Sequence, residues 1–223
     1  SGSLLSQMKL SRSGDLYIPG SPDFMMKAER DGIVASGSAQ IVAYLVPAIA
    51  VQSGNPRNIK SLADLARPGI KVAIADPASV CVGLYAIEIL EHNGLLDDIQ
   101  QAGTVVTYTE SCEKTATLIA LKSVDAVMGW DVFAAWNPAK IDVVYLPPAQ
   151  TPRIAYIPAA ISTFATDKEN AQKFLDFLVS TEGQAIFLKA GYITTESEAR
   201  KFAPNARIGG EYQLPATYKP LVK

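Results

Sequence analysis

Short apolar strands alternate with helical segments along most of this chain, and this alternation constrains the fold more than any other feature. The strand "KVAIA" (71–75) precedes a helical pattern over 82–93, and "TVVTYT" (104–109) precedes another over 112–122. Strands that alternate with helices usually form a parallel sheet with helices packed on its faces. The sequence therefore predicts an α/β fold with mixed, mostly parallel sheets.

The rest of the chain continues this pattern. Ser21-Pro22 is typical of a helix start, because Ser caps the first turn and Pro fits its first position. Two capping boxes, Thr166–Glu169 and Thr181–Gln184, predict the starts of two later helices. Further strands are expected over 15–19, 41–51, 125–130, 142–147 and 153–162, and further helices over 22–31 and 131–136.

Two unusually long strands suggest a division into two lobes. The strands 41–51 and 153–162 each contain a proline and enclose a self-contained block of alternating strands and helices. We expect these strands to cross between the lobes, with a hinge near Val46-Pro47 and Tyr156-Pro158. The predicted division is a first lobe of residues 1–46 plus 158–223 and a second lobe of residues 47–157.

Composition excludes several classes of function. The 223 residues are 48% hydrophobic and 19% charged, with 20 basic and 22 acidic side chains and a net charge of −2. No run of Lys and Arg is present, so nucleic acid is not an expected partner. The longest apolar run, 41–51, is shorter than the roughly 20 residues that a membrane-spanning helix needs.

Catalytic residues are scarce, so we do not expect an enzyme. The single histidine, His92, lies at a predicted helix end, and no nucleophile elbow, HExxH motif or phosphate-binding loop is present. A zinc site needs about four nitrogen or sulfur ligands, and Cys81, Cys112 and His92 are too few and too scattered. Neither a metal nor a cofactor is therefore expected.

Polar, uncharged turns precede several helices. They are the segments 1–3, 20–22, 79–83 and 110–114. In open α/β sheets, ligands bind beside the carboxyl ends of the strands, where helix N-termini present free N–H groups and a positive dipole end. Several such ends around one cleft would suit an anion.

The sequence resembles the periplasmic molybdate-binding proteins of ABC transporters, a group of two-lobed type II solute-binding proteins. The resemblance runs from Ser1 to about Tyr192 and rests on "SGSLLSQ", "GDLYI", "DPASVCVGLYAIEIL", "VDAVMGWDV" and "FLDFLVSTEGQAIFLKAGY". It implies capture of a tetrahedral oxyanion, molybdate or tungstate, by backbone amides and neutral side chains. It also implies a membrane permease as partner, a monomer, and a periplasmic or extracellular location, with a lipid anchor left open.

The resemblance also assigns candidate ligand-binding residues. The family's ligand serine matches Ser1 or Ser3, and its ligand-binding backbone amides match Val82 and Cys112. Ser21, in the turn before the next helix, is a further candidate. Trp130 stands where the family has a ligand tyrosine, and its indole can donate a hydrogen bond but cannot accept one.

Two departures from the family pattern affect these assignments. The family's first strand, with its Ala-Ala-Ser ligand turn, is missing from the sequence, so one wall of the site is not accounted for. A related branch completes octahedral coordination with Asp and Glu, whose positions match Val80 and Gly129, and neither residue is acidic. Hydrogen bonds to a tetrahedral oxyanion are therefore the better expectation.

Both cysteines fall in the ligand turns. If those turns converge, Cys81 and Cys112 could form a disulfide. The alternative is two buried free thiols that act as small apolar side chains.

Two other functions remain open. The chain could bind a different solute, such as iron or another oxyanion. It could instead be the effector-sensing domain of a transcription regulator with this fold, although its residues contain no helix-turn-helix.

Overall fold

Strands and helices alternate through most of the chain, as the sequence predicts. A computed structural model describes residues 1–222. The strands are β1 (Leu16–Tyr17), β2 (Gln40–Leu45), β3 (Pro47–Gln52), β4 (Val72–Ala75), β5 (Val105–Thr109), β6 (Ala126–Trp130), β7 (Ile141–Tyr145), β8 (Arg153–Ile161) and β9 (Arg207–Ile208). The helices are α1 (Gly2–Ser11), α2 (Pro22–Arg30), α3 (Cys81–His92), α4 (Leu96–Ala102), α5 (Cys112–Ala120), α6 (Phe133–Trp136), α7 (Lys168–Val179), α8 (Thr181–Lys189) and α9 (Glu196–Arg200), with short 3₁₀ turns at Leu62–Ala66 and Pro148–Gln150.

The strands form two separate sheets. One has five strands in the order β5-β4-β6-β3-β7, and the other contains β1, β8 and β2 with β9 attached to β8. Pairing is parallel for β4 with β5 and β6 and for β8 with β9, but antiparallel where β3 meets β6 and β7 and where β8 meets β1 and β2. The prediction of mixed sheets is confirmed. The prediction that most strand pairs are parallel is wrong, because β3 is antiparallel to β6 and β7, and β8 is antiparallel to β1 and β2.

Consecutive strands change sheets at two places. The first is Val46, which separates β2 in one sheet from β3 in the other, so the run 41–51 is two strands rather than one. The second lies at 146–152, between β7 and β8. The expected boundary at 157/158 falls inside β8, because Tyr156 and Pro158 both pair with β2. Hinge motion about these passages stays a prediction.

Local sequence explains the helix starts, with two corrections. Ser21 is the N-cap of α2 and Pro22 is its first residue, as predicted. Helix α7 is capped by Asp167, whose side chain accepts from the Asn170 N–H, and α8 by Ser180, which accepts from the Gly183 N–H. The predicted cap Thr166 therefore lies one residue before the actual N-cap, and the predicted cap Thr181 lies one residue after it. In both helices the neighbouring residue, Asp167 or Ser180, provides the capping oxygen.

The last residues bind the two sheets together. Strand β9 pairs with β8. A few residues after β9, the Tyr212 hydroxyl donates a hydrogen bond to Glu91 of α3 at 2.7 Å. Further along, the Tyr218 and Tyr108 hydroxyls lie 2.6 Å apart, and the Leu221 N–H donates to the Tyr108 hydroxyl at 2.8 Å. We call residues 207–222 the C-terminal segment. It extends from the smaller sheet to strand β5 of the larger one.

Candidate functional site

Two helix N-termini lie side by side at one edge of the five-stranded sheet. Strands β4 and β5 are parallel neighbours, with Ala75 opposite Thr109, and helices α3 and α5 follow them. The first residues of these helices are Cys81 and Cys112, whose Sγ atoms are 3.9 Å apart. Two of the turns that the sequence indicated as ligand turns therefore converge.

A glycine allows α3 to start this close to its strand. A Cβ atom on Gly83 would lie 2.2 Å from the carbonyl oxygen of Ala75, much closer than any side chain tolerates. The glycine thus permits the first turn of α3 to pack against the end of β4. The absence of a side chain there brings backbone N–H groups to the sheet edge.

The surroundings of the two thiols shift their pKa values in opposite directions. The interaction with the Cys81 thiol lowers the pKa of Cys112, and the Trp130 indole N–H and the Val82 backbone N–H add to the effect. The same thiol pair and complete burial raise the pKa of Cys81. Cys112 is also the less buried of the two thiols.

Trp130 is a deeply buried donor at the site. It ends β6, is 1% exposed, and packs edge-on against Tyr85 with ring centroids 4.9 Å apart. Its Nε1 approaches Cys112 without a well-formed hydrogen bond, and the Tyr85 hydroxyl also has no partner. An unpaired buried donor costs about 1–3 kcal/mol, so this indole is a group that a ligand could satisfy.

The start of the chain closes the other side of the site. Ser1 accepts a hydrogen bond from the Gly20 N–H on its Oγ at 3.1 Å and one from the Tyr17 hydroxyl on its carbonyl oxygen at 3.1 Å. A Cβ on Gly20 would lie 2.8 Å from the Cys81 Sγ. We call Ser1, Gly20, Cys81, Cys112 and Trp130 the thiol cluster.

The other two candidate serines have different surroundings from Ser1. Ser3 lies exposed on α1. Ser21 is fully buried, but its hydroxyl donates to the Asp23 carboxylate at 2.9 Å. Of the two serines that the resemblance offered for one ligand contact, Ser1 is the one beside the thiols.

A second buried cluster, which we call the ion cluster, consists of Asp23, Glu88 and Arg153. The guanidinium of Arg153 is 0% exposed and donates from Nε to Glu88 at 2.7 Å and from Nη1 to Asp23 at 2.9 Å. It also donates to the Gly210 carbonyl oxygen at 2.7 Å. These partners come from α3, α2 and the C-terminal segment, so one side chain joins three parts of the fold.

The two clusters share the ring of Tyr85. The Arg153 guanidinium lies 3.9 Å from the centroid of that ring, while Trp130 packs against it on the thiol side. Burial raises the pKa of Glu88 despite its contact with Arg153. The acidic and basic side chains therefore belong to the ion cluster. The side chains of the thiol cluster offer only uncharged donors and sulfur.

Sequence reasoning missed Tyr17, Gly20 and the ion cluster. The available signal for the ion cluster was Arg153 itself, a cation at the start of the apolar strand "RIAYIPAAIS". Charged side chains are almost never fully buried unless they are paired.

The described residues also bear on metal and membrane binding. Among residues 1–222, no three or more His, Cys, Asp or Glu side chains are grouped closely enough to hold a metal ion. Within the same range, no helix combines the length and apolar character needed to cross a membrane.

Comparisons with known proteins agree with this architecture. The molybdate-binding protein of Rhodobacter capsulatus is 24% identical over 206 residues, which cover 87% of this chain and 75% of that protein. The periplasmic molybdate-binding protein of Azotobacter vinelandii has a similar structure, with a TM-score of 0.74 at 21% identity over 88% of this chain and 85% of that one. The sulfate-binding protein SubI of Mycobacterium tuberculosis gives 0.75 at 18% identity over 92% and 80%.

The fold is therefore that of the type II periplasmic binding proteins. At these identities, the structural likeness establishes the fold but not the solute. The model of one family, described as bacterial extracellular solute-binding protein, matches residues 1–193. This chain belongs to the bacterial extracellular solute-binding protein family.

Proposed function

We propose that this protein captures a tetrahedral oxyanion of the molybdate or tungstate type and delivers it to the permease of an ABC importer. The proposed site is the thiol cluster together with the N-termini of α3 and α5. The observation that carries the proposal is the unpartnered indole N–H of Trp130, buried beside two converging helix N-termini. The relatives that bind molybdate or sulfate support the same class of solute.

The chemistry of the cluster suits an oxyanion. Hydrogen bonds to a charged acceptor are about twice as strong as those between neutral groups, and a helix N-terminus favours negative charge. The donors are the Val82 backbone N–H and the Trp130 indole N–H, neither of which brings a fixed counter-charge. Selection between molybdate and the smaller sulfate would then depend on the size of the closed site.

Entry of the anion requires the sulfurs to make room. Cys81 is 2% exposed and Ser1 and Gly20 lie against it, so the solute must reach the cluster through a rearrangement. Rotation about the passages at Val46 and 146–152 would separate the two sheets and expose both helix N-termini. Domain closure of this kind is a common way to bind a solute.

Isothermal titration calorimetry with molybdate, tungstate, sulfate and phosphate tests the proposal. We expect saturable binding of molybdate or tungstate, weakened about 10- to 100-fold by Trp130→Phe, because a hydrogen bond to a charged group contributes about 1.5–3 kcal/mol. Trp136→Phe is the matched control, since Trp136 is 41% exposed on α6. If neither molybdate nor tungstate binds, the proposal is refuted, whether or not sulfate or phosphate binds. Equal weakening by both substitutions would remove Trp130 from the site.

A further inference from the structure

The two thiols are placed as a pair. Cys81 and Cys112 occupy the same position, the first residue, in helices that follow adjacent parallel strands. Their sulfurs lie 3.9 Å apart as free thiols, whereas a disulfide bond is about 2.05 Å long. A shift of roughly 2 Å, shared between two side chains, separates the present arrangement from a covalent bond.

The Cys81 sulfur also fills space inside the site. It lies against Gly20 on one side and the Cys112 sulfur on the other, and the Val82 N–H and the Trp130 indole contribute to the lowered pKa of Cys112. The indole still lacks a well-formed hydrogen bond, because sulfur is a weak acceptor. In the dithiol form, the donors that could bind an anion therefore have only a sulfur atom, a weak acceptor, as a partner.

We propose that Cys81 and Cys112 form a reversible disulfide, and that forming it opens the anion site by drawing the Cys81 sulfur away from Gly20 and toward Cys112. This inference rests on the proposed function for its effect on binding, but the bond itself does not. The two thiols are thereby assigned as a redox modification site within a solute-binding cluster. The disulfide form would be the form that captures solute.

Formation of the Cys81–Cys112 disulfide requires an oxidant, and a small-molecule or protein disulfide can act as one by thiol–disulfide exchange. Cys112 is the more exposed of the pair and lies at the N-terminus of α5, so an oxidant reaches its sulfur first and its thiolate is the attacking group. Its sulfur attacks the oxidant's disulfide, forms a mixed disulfide and releases one thiolate. Cys81 then loses its proton and attacks the Cys112 sulfur, which forms the internal bond and releases the second thiolate, so two electrons pass to the oxidant.

The test begins with the bond. The full chain is incubated with oxidised glutathione or with dithiothreitol, alkylated and measured by intact mass. We expect the oxidised sample to lose the mass of two hydrogen atoms and to take up no alkylating reagent, and we expect dithiothreitol to reverse this. Uptake of two alkyl groups after oxidation would overturn the proposal.

The second readout is binding of tungstate by calorimetry in both redox states. We expect the disulfide form to bind about tenfold more tightly. The Cys81→Ala/Cys112→Ala variant should show the same affinity in both buffers, and Cys81→Ser/Cys112→Ser provides a second pair of substitutions in case the first lowers stability. Circular dichroism melting checks that each variant is folded.

The outcomes separate this proposal from the proposed function. A disulfide that forms without changing tungstate affinity overturns the gating role and leaves the proposed function intact. Absence of tungstate binding in both redox states and in both double variants overturns the proposed function for this anion, and the gating role with it. The mass measurement still decides whether the bond forms.

Discussion

Replacing the buried Arg153 with Met should strongly destabilise the fold. The substitution keeps most of the side-chain volume but removes hydrogen bonds to Glu88, Asp23 and the Gly210 carbonyl oxygen, of 2.7, 2.9 and 2.7 Å. It leaves two carboxylates buried without their cation, an effect that costs about 3–5 kcal/mol when one partner of a buried pair is lost. For a domain of this size, we expect a melting temperature lower by about 6–20 °C.

Urea unfolding followed by circular dichroism measures this loss at pH 8 and pH 5. Burial already raises the pKa of Glu88, and removal of Arg153 should raise it further, so the folded variant takes up protons that the unfolded chain does not bind. Because the unfolded state binds fewer protons, stability falls as pH rises. The variant should therefore be less destabilised at pH 5 than at pH 8.

A matched control separates this effect from the loss of any arginine. Arg200 forms an exposed pair with Glu196 at 2.7 Å, and Arg200→Met should change stability by less than about 1 kcal/mol. The triple variant Asp23→Asn/Glu88→Gln/Arg153→Met should recover part of the loss, because no buried charge remains unpaired. A loss of less than about 1 kcal/mol in Arg153→Met would refute our account of the ion cluster.

Two further predictions concern pH dependence and the C-terminal segment. Burial raises the pKa of Asp131 to about 6 from 3.8, so this group should lower the stability of the folded chain by about 3 kcal/mol as pH rises from about 4 to 7. Asp131→Asn should flatten that decline in urea unfolding, and an unchanged pH profile would refute the assignment. Tyr108→Phe removes the hydroxyl that contacts Tyr218 and Leu221, and should cost about 1–2 kcal/mol in the same assay. Tyr145→Phe, whose ring is 46% exposed, is the control, and an equal loss in both variants would show that the segment is not held by Tyr108.

Local sequence patterns predicted most of the elements but not which sheet they join. Ser21-Pro22 marks the start of α2, and the long strand β8 coincides with the predicted strand 153–162. The run 41–51 is apolar throughout because both of its halves are buried, and nothing in that pattern shows that the hydrogen-bond partners change at Val46. The sequence likewise predicts that the strand 153–162 crosses between the lobes near Tyr156-Pro158, whereas the whole of β8 lies in the smaller sheet and pairs with β2 on both sides of a register shift near Pro158.

The site was predictable where it depends on helix starts and not where it depends on distant partners. The convergence of Cys81 and Cys112 follows from strand order, because adjacent parallel strands place the following helices side by side. Arg153 is different. Its partners Asp23, Glu88 and Gly210 are 130, 65 and 57 residues away, and only the folded chain brings them together.

Crystals grown with tungstate would test the central claim most directly, because tungsten can be located from its anomalous scattering. Our account predicts one strong peak between the N-termini of α3 and α5, with tungstate oxygens within hydrogen-bond distance of the Val82 N–H and the Trp130 indole N–H. A tungsten peak away from both helix N-termini, or crystals grown at saturating tungstate that contain no bound tungstate, would contradict it.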